Sequence, residues 1–119
     1  MTQANQILSS QKEVHPHILV MEDDLNVAKG LEMVLTEEGY DVYLAETGKL
    51  AMEAFKQGRF DLLVADIRLP DVNGMEIIKE IKESKPETEV IAITGYATTS
   101  MAVEAMKLGV HDFLPKPFT

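Results

Sequence analysis

The sequence predicts an α/β domain, a parallel sheet wound by helices on both faces. Short apolar runs of strand length alternate with segments of about a dozen residues whose apolar side chains recur at helical spacing. Most of the short runs are continuous rather than alternating, which is typical of parallel strands buried on both faces. Because parallel strands need crossover connections, we expect the intervening helices to cover both faces of the sheet.

The first half of the chain supplies two strands and two helices. The strands are predicted at residues 18–21 and 42–45. Gly39 is predicted to end the first helix in the left-handed conformation that glycine tolerates, and Gly58 ends a second helix over about 50–57. The helical spacing of the first helix comes from Leu25, Ala28, Leu31, Val34 and Leu35.

The second half supplies three strands and two helices. Strands are predicted at residues 62–65, 90–94 and 110–114. Pro86 follows the third helix, Thr98 or Thr99 is the predicted N-cap of the fourth, and Gly109 ends the fourth. These two helices are defined by apolar residues at Met75, Ile77, Ile78 and Ile81, and at Met101, Ala102, Ala105 and Met106.

The composition is that of one acidic globular domain. A length of 119 residues suits a single domain, and an apolar content of 45% suffices for a core. The net charge of -9, from 20 acidic and 11 basic residues, argues against direct binding to nucleic-acid phosphates. There is no cysteine, no basic leader and no apolar run long enough to span a membrane, so we expect a cytoplasmic protein.

Both ends of the chain carry an expectation. Residues 1–17 are polar and aperiodic and are predicted to form a flexible leader, so the domain is expected to span residues 18–119. The sequence stops at Thr119, directly after the fifth predicted strand, so we expect no final helix to cover that edge of the sheet. Because an uncovered apolar face tends to associate, we expect poor stability or a homodimer through this face.

Polar residues follow four of the predicted strands. They are Glu22, Asp23, Asp66, Thr94 and Lys116. In an open parallel sheet, ligands bind beyond the carboxyl ends of the strands, so these side chains are expected to converge. Three close carboxylates favour a cation, and oxygen ligands suit Mg²⁺ bound together with a phosphate. The central carboxylate, Asp66, is then the candidate nucleophile toward a phosphoryl group. Lys116 would neutralise the phosphoryl charge, and Thr94 would donate to a phosphate oxygen.

Each of these residues also has a purely structural interpretation. Asp66 can simply begin a turn, and the acidic residues after the first strand can cap the following helix. Thr94 can be an ordinary β-branched strand residue, and Lys116 can be a solvated side chain between two prolines. All five at strand ends in this order are hard to explain as independent accidents, so we prefer the functional interpretation.

As a set, these motifs resemble the receiver domain of two-component response regulators, a flavodoxin-like family, over about residues 18–118. The motifs are the acidic pair after the first strand, the Leu-Pro-Asp-Val-Asn-Gly loop after Asp66, the Ile-Thr-Gly run around Thr94 and the Pro-Lys-Pro-Phe run around Lys116. The resemblance implies the strand order 2-1-3-4-5. The last two runs are most similar to receivers of nitrogen-regulation-type activators or hybrid sensor kinases.

The resemblance implies a role for each site residue. Asp66 would accept a phosphoryl group from a sensor histidine kinase, and Lys116 would pair with that phosphate. The ligands of Mg²⁺ would be Asp66, Asp23, Glu22 largely through water, and the backbone carbonyl of Arg68.

The resemblance also implies a conformational switch. Phosphate on Asp66 would draw Thr94 inward, Phe113 would follow to a buried rotamer, and the surface of the fourth helix and fifth strand would change for a partner. Phe113 replaces a tyrosine of the family pattern, and Pro115 adds a second proline beside the lysine. The implied module is a signalling domain rather than a multiple-turnover enzyme. Its partners would be the kinase and an output domain or partner protein, with any DNA bound through another domain.

Three alternatives stand beside the receiver interpretation. A degenerate receiver would act purely as an interaction or dimerisation module, and the intact set of five residues argues against it. A flavodoxin-like nucleotide or flavin binder needs phosphate-binding glycines or a P-loop lysine, which residues 22–25 lack. A haloacid-dehalogenase-like phosphatase carries an Asp-x-Asp pattern on its first strand, which the Glu-Asp-Asp run here does not give.

Overall fold

A computed structural model describes residues 15–95 and 97–116 of the chain. Within these residues, five strands alternate with four helices, as predicted. The strands are β1 His17–Met21, β2 Asp41–Ala45, β3 Leu62–Asp66, β4 Glu89–Thr94 and β5 Asp112–Pro115. The helices are α1 Leu25–Glu37, α2 Gly48–Gln57, α3 Gly74–Ser84 and α4 Thr99–Lys107.

The five strands form one parallel sheet in the order β2-β1-β3-β4-β5, which confirms the predicted fold class and strand order. The register aligns the carboxyl ends of the strands. Asp66 of β3 lies opposite Ile93 of β4. Thr94, the next residue of β4, lies opposite Pro115 of β5. Residues that are far apart in the sequence therefore reach one edge of the sheet.

Helices cover both faces of this sheet. The larger core lies against α2, α3 and α4 and includes Phe55, Ile78 and Ala105. The smaller core lies against α1, where Leu31 and Leu35 pack on four buried strand residues, Ile18, Val20, Val64 and Ile93. Leu114 of β5 pairs with Ile93 on this second face and is 38% exposed. Association through this face stays a prediction.

Side chains cap the start of each helix. The N-caps are Asp24, Thr47, Asn73 and Thr98, whose oxygens accept hydrogen bonds from backbone N–H groups of the first turn. Thr98, rather than Thr99, is therefore the N-cap of α4. Gly39 and Gly109 follow α1 and α4 with φ angles of 96° and 94°, the left-handed conformation that favours glycine there.

Some details of the sequence prediction were wrong. Helix α2 begins at Gly48 rather than near residue 50, because the cap at Thr47 adds residues to its first turn. Strand β5 begins at Asp112 rather than at residue 110, because the Val110 N–H bonds back to the Ala105 carbonyl of α4. Leu25 and Val34 are 53% and 60% exposed, so the buried stripe of α1 is narrower than its apolar spacing indicated.

The described residues begin at residue 15, so most of the predicted leader lies outside them. Tyr96 and residues 117–119 also lie outside the described residues. Strand β1 already begins at His17, inside the range predicted for the leader. Among the helices of the described residues, 15–95 and 97–116, none combines the length and apolarity that a bilayer-spanning helix requires.

Candidate functional site

The carboxyl edge of the sheet holds an ammonium group between two buried carboxylates. Glu22 directly follows β1 and is 1% exposed, and Asp66 ends β3 and is 2% exposed. Lys116, the residue after β5, donates from Nζ to Glu22 Oε1 at 2.7 Å and to Asp66 Oδ2 at 3.0 Å. The structure thus brings together three of the residues that the sequence placed at strand ends.

Backbone hydrogen bonds continue the sheet through these positions. The Glu22 N–H donates to the Ala45 carbonyl at 3.0 Å. The Lys116 N–H donates to the Thr94 carbonyl at 2.7 Å. Because the main chain is fixed on both sides of the site, the lysine and the carboxylates meet without requiring a mobile loop to close.

Each buried carboxylate also accepts a hydrogen bond from the backbone through its second oxygen. The Arg68 N–H donates to Asp66 Oδ1 at 2.9 Å. The Asp24 N–H donates to Glu22 Oε2 at 2.9 Å. These bonds orient both carboxylates and compensate for the water that burial removes.

Burial and close charges shift the acid–base properties of this group. Burial raises the pKa of Glu22 from 4.5 to about 7; the Lys116 hydrogen bond opposes this rise, and the nearby Asp66 adds to it. Burial by itself lowers the pKa of Lys116, but the hydrogen bonds to Glu22 and Asp66 outweigh burial, so its pKa is raised. Lys116 therefore stays cationic at neutral pH.

Asp23 completes a cluster of three carboxylates. One oxygen each of Glu22, Asp23 and Asp66 lies within 4.8 Å of the other two, with Asp23 exposed at the mouth of the cluster. All donors are carboxylate oxygens, the ligands that Mg²⁺ prefers, and the exposed side leaves room for the waters that Mg²⁺ retains. The residues present therefore fit a magnesium site.

Comparison with known protein families shows the family of this chain. The family described as the response regulator receiver domain matches residues 18–119. The chain belongs to this family. It is thus a receiver domain of two-component response regulators, a signalling domain, as the resemblance implied.

Curated relatives of this receiver domain are regulators of transcription by name. Transcriptional regulatory protein ZraR of Escherichia coli strain K12 is 39% identical over 100 residues, which cover 84% of this chain and 23% of ZraR. Transcriptional regulatory protein FixJ of Bradyrhizobium diazoefficiens is 35% identical over 102 residues, which cover 86% of this chain and 50% of FixJ. This chain thus spans under a quarter of the first relative and half of the second.

Solved receiver structures share the fold over most of both chains. The response regulator protein TrrA of Thermotoga maritima, in complex with Mg²⁺ and BeF, superposes with a TM-score of 0.78 at 31% identity, covering 87% of this chain and 89% of TrrA. A receiver domain protein of Methanospirillum hungatei gives a TM-score of 0.85 at 28% identity, covering 88% of this chain and 84% of that chain.

Two further residues predicted for this receiver domain lie on β4 and β5, on one side of β3 in the sheet. Thr94 ends β4 and is fully buried. Phe113, on the neighbouring strand β5, is half-buried and packs against the larger core, on the side of α4. Ala92 of that core pairs with Phe113 and lies two residues before Thr94, so the threonine and the phenylalanine share one face of the sheet.

The loop that follows Asp66 contains a contact that the sequence did not reveal. Both carboxylate oxygens of Asp71 accept backbone N–H groups of α2, Oδ1 from Gly48 and Oδ2 from Lys49, each at 3.0 Å. The hydrogen bond from Gly48 is the largest cause of a lowered pKa at Asp71, and the bond from Lys49 lowers it further. Nothing in the local sequence signals this contact, because it joins a loop to the start of a helix more than 20 residues away in the sequence.

Gly74 closes the same loop against the backbone of Asp66. Its N–H donates to the Ile67 carbonyl at 2.7 Å. A Cβ atom at this position would lie 2.3 Å from the Asp66 carbonyl oxygen. Glycine is therefore required here by the close approach of two backbone segments rather than by an unusual φ angle.

Proposed function

We propose that this receiver domain accepts a phosphoryl group on Asp66 from a phosphohistidine of a sensor histidine kinase. The observation that carries the proposal is the bridge of Lys116 between Asp66 and Glu22, inside a carboxylate cluster at the sheet edge. A buried aspartate that only began a turn would not require an ion pair with a lysine that follows β5.

The transfer joins one oxygen of Asp66 to phosphorus as the bond from phosphorus to the histidine nitrogen breaks. The product is an acyl phosphate, and the released imidazole retains the electron pair of the broken bond. Lys116 Nζ already contacts Oδ2, so it can follow the incoming phosphoryl group and neutralise one of its oxygens. The Arg68 N–H holds Oδ1 and keeps the carboxylate plane oriented.

Mg²⁺ is the cofactor that we propose for this transfer. Asp23, Glu22, Asp66 and the backbone carbonyl of Arg68 are its proposed ligands, the carboxylates being those of the observed cluster. When bound, Mg²⁺ neutralises phosphoryl charge as it develops. Lys116 already occupies one oxygen of Glu22 and one of Asp66, which leaves Asp23 as the freely accessible carboxylate.

Acetyl phosphate tests the proposed transfer without a known kinase. With Mg²⁺ present, intact-mass analysis should show the addition of one phosphoryl group, because the acceptor and the charge-neutralising groups all belong to this chain. Chelation with EDTA should prevent the addition. A folded protein that gains no phosphate with Mg²⁺ would contradict the proposal and favour the interaction-module alternative.

The proposed output is a switch through Thr94 and Phe113 that remodels the surface of α4 and β5. We expect Thr94→Val still to accept one phosphoryl group on Asp66, yet to leave the NMR signals of the Phe113 ring unchanged on phosphorylation. Valine keeps the shape of threonine and lacks the hydroxyl that would bond the phosphate.

Thr88→Val is the matched control for this switch. Thr88 is equally buried, but it precedes β4 at the opposite end of the sheet, where its hydroxyl donates to the Phe60 carbonyl at 2.9 Å. This variant should lose stability and retain the Phe113 response. A normal Phe113 response in Thr94→Val would contradict the proposed role of the hydroxyl.

The proposed partners follow from the same function. A sensor histidine kinase supplies the phosphoryl group, and an output domain or partner protein reads the surface of α4 and β5. The names of ZraR and FixJ fit an output in transcription. Any DNA would be bound through another domain, since this chain has a net charge of -9. We place the protein in the cytoplasm, where such kinases present their phosphohistidine.

A further inference from the structure

The loop of residues 67–73 connects β3 to α3, and we call it the acceptor loop. Backbone and side-chain hydrogen bonds hold it in place at its base and at its tip. At its base, Arg68 and Asn73 form an antiparallel bridge, and the Gly74 N–H bonds to the Ile67 carbonyl. At its tip, Asp71 bonds to the first two residues of α2. The tip is thus tied to a different helix from the one that the loop leads into.

The contact of Asp71 is additional to the N-cap of α2. That helix has its own N-cap, Thr47, whose hydroxyl accepts the Leu50 N–H at 3.1 Å. Asp71 instead reaches the helix from the acceptor loop, and the neighbouring Val72 packs closely there, since a Cβ atom on Gly48 would lie 3.0 Å from Val72 Cγ2. Two side chains therefore contact the start of α2. Thr47 is the N-cap of the helix, and Asp71 connects the acceptor loop to it.

The anchored loop leads directly to the acceptor. The Arg68 N–H, at the base of the loop, donates to Asp66 Oδ1. The carbonyl of the same residue is the backbone ligand in the proposed magnesium site. A shift of the loop would therefore move one donor to the nucleophile and one proposed metal ligand together.

We propose that Asp71 is a positioning residue for the magnesium site, holding the acceptor loop on α2 so that the Arg68 backbone faces the carboxylate cluster. The inference rests on the proposed function. Asp71 acts through the loop, since its own two oxygens are occupied by the amides of Gly48 and Lys49.

Calorimetric titration with Mg²⁺ alone tests this role. Asp71→Ala should weaken Mg²⁺ binding about 10-fold, the scale on which residues that orient metal ligands act. Asp71→Asn keeps one acceptor oxygen for an amide and should fall between the wild type and Asp71→Ala. The rate of phosphorylation by acetyl phosphate should fall in Asp71→Ala at low Mg²⁺ and recover toward the wild-type rate at saturating Mg²⁺.

Thr47→Ala is the matched control, because it removes a cap from the same helix without releasing the loop. It should lower the melting temperature and leave Mg²⁺ affinity unchanged. Equal Mg²⁺ affinity in Asp71→Ala and the wild type would overturn the inference, as would an equal loss of affinity in Thr47→Ala. A wild type that binds Mg²⁺ and gains no phosphate would instead count against the proposed function, while the titration would still decide the role of Asp71.

Discussion

Gly74→Ala is expected to lower the free energy of unfolding by about 3 kcal/mol or more, the upper range for an overpacked site. The added Cβ atom would lie 2.3 Å from the Asp66 carbonyl oxygen and 2.7 Å from Ile67 Cα. Both atoms belong to the backbone, so no side chain can rotate away to relieve the contact. Only a movement of the acceptor loop can relieve this contact. We therefore expect the phosphorylation of Asp66 to decrease together with the free energy of unfolding.

Urea denaturation measures this effect, and Gly30→Ala provides the control. Gly30 lies in the interior of α1, is exposed, and has no atom within 4 Å of the added Cβ position. Alanine there should raise stability by about 0.5–1 kcal/mol, because it lowers the entropy lost on forming the helix. The steric account of Gly74 is wrong if both variants change stability in the same direction by similar amounts.

With Mg²⁺ removed by EDTA, Lys116→Met is expected to lower the free energy of unfolding by about 3 kcal/mol, the lower part of the range for breaking a buried ion pair. The lysine side chain is 16% exposed, and the side chains of its partners Glu22 and Asp66 are 0% and 4% exposed. Methionine fills a similar volume but leaves two carboxylates without a cation. Glu22, whose pKa is already about 7, can take up a proton and limit the loss.

Added Mg²⁺ should restore part of the stability of Lys116→Met, because a second cation can then neutralise the carboxylates. Lys29→Met is the surface control, since Lys29 is 62% exposed and lies 3.8 Å from Glu32. A pair of this kind contributes about 0–1 kcal/mol, so this variant should change little, and its stability should respond to Mg²⁺ only as much as that of the wild type. Equal stability of the wild type and Lys116→Met in EDTA would show that the buried carboxylates do not need the lysine.

The sequence was most informative about the buried strands and the residues at their ends. The continuous apolar run that became β3 and the carboxylate that ends it defined a buried strand and a surface site. Helical spacing alone indicated the position of α1 but not the width of its buried stripe, so it did not distinguish exposed Val34 from buried Ala28. Packing against the sheet decides that width.

The contact between the acceptor loop and α2 could not be predicted from the sequence, for a different reason. The bond from the Gly48 N–H to Asp71 depends on how the acceptor loop packs on α2, and no periodic pattern in the sequence pairs these two residues. The bridge of Lys116 between Glu22 and Asp66 was accessible because all three follow strands of one parallel sheet, whose ends converge. Sequence position therefore predicted the site better than it predicted the contacts that support the site.

The most direct test of the central claim is peptide-level mass spectrometry after treatment with acetyl phosphate and Mg²⁺, comparing the wild type with Asp66→Asn. Asparagine keeps the shape of the side chain and lacks the nucleophilic carboxylate oxygen. We predict one phosphoryl group on the wild-type peptide that contains Asp66 and none on the variant. Phosphate on another residue of the wild type, or equal labelling of Asp66→Asn, would contradict the assignment of Asp66 as the acceptor.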